Sequence, residues 1–206
     1  MEEKQIGDEL ASIRSLMERS SKFISLSGLS GILAGCYALV GAALAYLLIY
    51  KGEARIYDAL NLHTYPQTLY YLFFIALGIL MLSIATGFIL TSRKAKRKGQ
   101  PIWSNTSRLL IFNMATPLLV GGILILIFIY RGYYGIVAST SLIFYGLSLV
   151  GAGNFTFTMV KYLGLCEIIL GLIAACIPGY GLLFWAIGFG VLHIVYGSIM
   201  YLKYDK

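Results

Sequence analysis

Charge is what this chain has least of. Only 12% of its 206 residues are Asp, Glu, Lys or Arg, and 59% are hydrophobic. A soluble domain usually carries about 25% charged residues, so an ordinary water-soluble fold is excluded. Histidine is scarcer still, with only His63 and His193. Zinc needs three or four ligands, and the apolar blocks offer one histidine, one glutamate and three scattered cysteines. No metal site and no cofactor are therefore expected. A haem with two histidine ligands is excluded within one chain, because His63 falls in a polar connection. The cysteines, Cys36, Cys166 and Cys176, all lie in apolar blocks and form no CxxC pair. Their odd number argues against a disulfide framework, and they read as small packing residues. The chain has no HExxH, no GxSxG, no Walker A and no paired carboxylates in its apolar blocks. An enzyme is not expected, although the many serines and threonines leave room for an unfamiliar lipid-active one. No nucleic-acid motif accompanies the net charge of +7, so no nucleic-acid partner is expected.

What is present is long apolar sequence. About 18 or more mostly apolar residues are enough to cross a hydrocarbon core ~30 Å thick. Six such blocks occur, approximately Phe23–Tyr50, Thr68–Leu90, Ser107–Tyr130, Gly135–Gly153, Thr156–Ile177 and Tyr180–Leu202. Period-2 alternation is absent, which disfavours a barrel, and helices satisfy their own backbone hydrogen bonds in lipid. The fold class expected is all-α: a polytopic membrane protein whose six transmembrane helices form a bundle over residues 23–202. A re-entrant arrangement around "GAGNFTFTMVK", where the fourth and fifth blocks abut, is the alternative to six full spans. Residues 1–22 carry acids as well as bases, which is unlike a signal peptide. Leu10, Ile13, Leu16 and Met17 recur at helical spacing, so this arm is expected to be a cytoplasmic amphipathic helix. Residues 203–206 form a short tail. The "LAGC" of Leu33–Cys36 matches a lipoprotein signal, but the apolar run continues to Tyr50 instead of giving way to a polar tether.

Charge sets the orientation. Six spans put both termini on one side, and thirteen of the 16 Lys and Arg residues fall there. They lie in the N-terminal arm, at Arg93, Lys94, Lys96, Arg97, Lys98 and Arg108, at Lys161, and at Lys203 and Lys206. Only Lys51, Arg55 and Arg131 fall opposite. Positive residues favour the cytoplasm, so both ends are expected inside. Tyr46, Tyr50, Tyr70, Tyr71, Tyr130, Tyr180 and Trp185 gather near the outer boundary, and Trp103, Tyr162, Tyr201 and Tyr204 near the inner one, as amphipathic rings do at headgroup level. Arg93, Lys94, Lys96, Arg97 and Lys98 are expected to contact anionic lipid headgroups.

Within the first block Ser27, Gly31 and Gly35 lie four apart, as do Ala34, Ala38 and Ala42. Small residues at this spacing let two helix backbones approach in lipid. The partner is either another helix of the same chain or a second copy, which makes a homo-oligomer through this face one expectation. Pro117 bends the third block near Asn113. No aligned motif relates the three successive hairpins to one another.

The polar atoms needing explanation centre on Glu167, in "KYLGLCEIILGLIAACIPG". It lies eleven residues before Pro178, roughly 16 Å from the end of its span and near the midplane. A lone carboxylate there must be protonated, hydrated or paired. His193 is the expected partner, roughly 20 Å from the same boundary on the next helix. Side chains lean toward the N-terminus of their own helix, so across this antiparallel pair the two lean toward each other. Burial favours the neutral forms of such a pair and mutual attraction the charged ones. Tyr196, one turn from His193, is expected to join it, and Asn113 to line the same site; Tyr37 and Tyr145 are further candidates.

The chain ends "MERSSKFISLSGLSGILAG" and "FGVLHIVYGSIMYLKY" resemble those of small uncharacterised bacterial integral membrane proteins. The resemblance implies a bacterial inner-membrane home and brings no activity. Two functional readings follow from the residues. One is a protein that binds or transports a small molecule, lipid or ion at a cavity lined by Glu167, His193, Tyr196 and Asn113. The other is a membrane scaffold or regulatory partner, acting through its N-terminal arm and basic loop, in which Glu167 and His193 are a structural clasp.

Overall fold

A computed structural model describes residues 26–99 and 101–205, apart from the connection 51–65. The N-terminal arm, with its expected amphipathic helix, and the connection containing His63 lie outside the described residues. The described chain is all-helical, without a strand. It contains six helices long and apolar enough to cross a membrane.

The helices are α1 (Gly28–Tyr50), α2 (Pro66–Arg97), α3 (Asn105–Arg131), α4 (Val137–Ala152), α5 (Thr158–Cys176) and α6 (Gly181–Tyr204). Their ends follow from local chemistry. Pro66 opens α2, where its missing N–H is no loss. Ser104 caps α3 in a reciprocal box: its hydroxyl accepts from the Ser107 N–H at 3.1 Å, and its own N–H donates to the Ser107 hydroxyl at 2.8 Å. Gly132 ends α3 at φ 81°, a left-handed conformation that costs glycine little. Pro117 sits inside α3 without ending it. A short 3₁₀ turn, Tyr134–Ile136, leads into α4. The expected boundaries differ most at α2, which continues through the basic stretch to Arg97. The fourth and fifth blocks form two helices packed along each other, with no re-entrant loop between them.

The order in space is not the order in the chain. α1 lies between α2 and α6, and α4 lies between α3 and α5 while also touching the start of α6. α5 and α6, although joined by a tight turn, touch only sparingly. Glycine explains two close approaches. A methyl group on Gly197 of α6 would lie 2.5 Å from Ile32 N, 2.7 Å from Gly28 O and 2.9 Å from Gly31 C on α1. One on Gly146 of α4 would lie 2.6 Å from Gly164 O on α5. The partner of the Gly31 and Gly35 stripe is therefore α6 of the same chain.

Polarity is distributed inside out. Phe74, Met81, Phe88, Phe112, Leu119 and Ile123 are exposed, whereas Ser139, Ser148, Thr156, Glu167 and His193 are buried. Exposed apolar surface on this scale marks contact with a membrane or with other protein.

At one end of the molecule α1, α2 and α6 are tied by Asp205. Its Oδ2 accepts from the Gly28 N–H at 2.8 Å and from the Ser27 hydroxyl at 3.3 Å, and so caps the start of α1. Its Oδ1 pairs with Lys94 Nζ, which also donates to Leu26 O at 2.6 Å. The Lys94 side chain is only 12% exposed. Lys94 thus turns inward to a carboxylate, departing from the headgroup contact expected of it, because the end of α2 packs beside the start of α1. Arg93, Lys96, Arg97 and Lys98 remain exposed.

Candidate functional site

Three helices contribute to the site: α5 through Glu167, α6 through Gly188 and His193, and α4 through Tyr145. α6 is locally widened. Residues Ala186–Leu192 wind as a π-helix between two α-helical pieces, a rare geometry that occurs frequently at functional sites. The widening carries two glycines, Gly188 and Gly190, both buried.

His193 is satisfied on both nitrogens. Nδ1 lies 3.0 Å from Gly188 O, and Nε2 lies 2.7 Å from Tyr145 Oη. A carbonyl oxygen only accepts, so Nδ1 carries a hydrogen and donates to it. In the neutral ring Nε2 then accepts from the Tyr145 hydroxyl. This chain of bonds joins α4 to α6.

Glu167 is satisfied on neither oxygen. It has no exposed surface. Its Oε1 lies 3.4 Å from His193 Nδ1, but that N–H is directed at Gly188 O. Neither carboxyl oxygen has a hydrogen-bond partner among the described residues. Gly188 provides the room for the carboxyl: a methyl group there would lie 2.5 Å from Oε2. A charged carboxylate in this position lacks the donors that would offset its desolvation.

The other residues expected at the site are placed elsewhere or only near it. Tyr196 packs one turn below His193 against the cluster formed by Leu149, Ala152, Val160 and Leu163. Asn113 lies on α3, and its side-chain amide donates to Leu109 O of its own helix at 2.9 Å. Its carbonyl has lost the usual backbone donor because residue 117 is proline, and it faces α4, 3.2 Å from the place a methyl group on Gly151 would take. Tyr37 meets Thr86 Oγ1 at 3.3 Å and links α1 to α2. The π-helical widening was not legible in the sequence beforehand. The only signal for it is the pair of glycines in "IGFG".

Aromatic rings extend the site along α6. Trp185 and Phe189 meet at a tilt of 39° with centroids 5.0 Å apart, Phe189 and Tyr145 lie at 4.9 Å, and Tyr145 and His193 at 5.3 Å. Among the described residues no group of three or more His, Cys, Asp or Glu could hold a metal ion. Compared with known proteins, the chain matches no family model, no curated protein and no solved structure.

Proposed function

We propose that this chain is an integral protein of the bacterial cytoplasmic membrane, with six spans and both termini in the cytoplasm. In it Glu167 binds and releases a proton or small cation as part of a binding or transport function. The six apolar helices, the apolar exterior and the excess of Lys and Arg on one side support the membrane reading. The end bearing the Asp205 tie is then the cytoplasmic end, and exposed Arg93, Lys96, Arg97 and Lys98 face anionic lipid.

One observation carries the functional reading. A device that only fixed helix register would satisfy its polar atoms, and the bond from Tyr145 to His193 already does so. Glu167 is additional to that lock and stands with two empty acceptor oxygens in the same niche. An intramembrane acid without a structural partner is the residue type that ion and proton pathways use. With no donor to offset the desolvation of a charge, the acid in this arrangement holds its own proton.

A second reading, a scaffold in which the pair is a clasp, is favoured by the tight fit of Gly188 against the carboxyl. Proton counting separates the two. Purified protein in lipid nanodiscs is titrated beside Glu167→Gln. The binding reading expects the wild type to take up one proton more than the variant across the accessible pH range. Equal uptake would leave the clasp.

A further inference from the structure

We infer that the site takes a lipophilic organic cation, an ammonium or phosphonium with an apolar body, in exchange for the proton on Glu167. This rests on the proton-binding reading and names its substrate class. Two features on adjoining helices support it. The first is the carboxyl of Glu167, wholly buried and without a hydrogen-bond partner. The second is the aromatic series on α6 and α4. Trp185, Phe189 and Tyr145 follow one another at about 5 Å between centroids and end beside His193, whose Nδ1 lies 3.4 Å from the carboxyl.

Ring faces attract desolvated cations, and aromatic side chains are how proteins recognise quaternary ammonium groups. A hydrated inorganic ion would need several oxygen ligands in place of rings. Neutral lipids could accept a hydrogen bond from the acid but would not neutralise the carboxylate left when its proton leaves. Trp185 lies eight residues before His193, roughly 12 Å along the helix, so the rings run from the end of the helix toward its middle.

The groups near the carboxyl are few. From α6 it is His193, 3.4 Å away, and from α4 it is Tyr145, bonded to the far nitrogen of that ring; Tyr196, one turn further on, packs on the apolar cluster around Leu149. Among the described residues the carboxyl's sole ion-pair contact is His193, and no Lys or Arg reaches it. The charge balance is then simple. The protonated acid loses its proton to water, and the carboxylate left behind is neutralised by the incoming cation. Entry requires α5 and α6 to part, and these two helices touch sparingly. The widened turns between Ala186 and Leu192 give α6 a place to change register.

The test uses full-length protein in detergent with tetraphenylphosphonium as probe and triphenylphosphine oxide as its neutral counterpart. Trp103→Phe leaves Trp185 as the sole tryptophan reporter. The expected result is saturable quenching of Trp185 by the cation and none by the neutral compound, with about one proton released per cation bound in weakly buffered solution. Glu167→Gln is expected to abolish the release. Phe189→Ala is expected to weaken binding about thirtyfold, the size of a desolvated cation–π contact, and to keep the release. If Glu167→Gln does not fold, the wild-type stoichiometry and the Phe189→Ala affinity decide. Binding without proton release, equal response to the neutral compound, or no saturable response overturns the proposal. If Glu167 still takes up a proton in nanodiscs while no cation binds, the substrate class falls and the proton-binding reading stands.

Discussion

Gly197→Ala tests the contact on which α6, and with it His193, is hung. The added methyl group meets three main-chain atoms of α1, at 2.5, 2.7 and 2.9 Å. Ordinary carbon contacts lie at about 3.5–4.0 Å, so the helices must part by roughly 1 Å. Main-chain atoms cannot rotate away as a side-chain end does. Overpacking of this kind costs about 1–3 kcal/mol, and a gap of 0.5–1 Å forfeits a quarter to a half of the dispersion well for each contact it opens. We therefore take about 3 kcal/mol. Against it stands the gain of replacing glycine by alanine inside a helix, about 1 kcal/mol. The net expectation is a loss of about 2 kcal/mol. Gly87→Ala in α2 is the control, because nothing lies within 4 Å of the methyl group it would add; it should gain up to about 1 kcal/mol. The assay is reversible unfolding of both variants in the same detergent or bilayer. If Gly197→Ala is as benign as Gly87→Ala, α1 and α6 do not pack as described and the placement of His193 fails with them.

Tyr145→Phe removes the donor to His193 Nε2 and should destabilise by about 1 kcal/mol, near the upper part of the range for interhelical bonds in lipid; unfolding midpoints against wild type check it. Asp205→Ala removes the cap of α1 and the partner of Lys94 and should cost about 2 kcal/mol. Lys94→Ala combined with it should add less than its separate effect, because both act on one network, and a double-variant cycle of unfolding free energies reads the difference. In a cysteine-free background, Lys203→Cys should react with an impermeant maleimide only from the cytoplasmic face and Arg131→Cys only from the opposite face. Labelling of both from one side would break the six-span topology.

The helices were legible in the sequence because hydropathy over 18 residues is a local property, and because helices are the default where water cannot satisfy the backbone. The meeting of Glu167 and His193 was legible for the same reason: helical rise fixes depth along a tight antiparallel turn. Their neighbourhood was not. Tyr145 arrives from α4 because Gly146 lets α4 lie against α5, which depends on pairwise packing and not on depth. Asn113 was expected as a polar residue inside another span, one turn before Pro117, yet it lies on α3 beside Gly151 and bonds to its own helix. Lys94 and Asp205 are separated by 111 residues, and the basic run around Lys94 concealed that one of its members turns inward. The π-helical turn depends on tertiary contact around Gly188, for which the local sequence carries almost no signal.

The carboxyl stretching vibration of Glu167 bears most directly on the central claim. Infrared spectra of the protein in lipid, compared with those of Glu167→Gln, are expected to show the C=O band of a protonated acid without a hydrogen bond, absent from the variant. A difference spectrum carrying only carboxylate bands would mean that Glu167 is ionised and paired with His193, and would contradict the account.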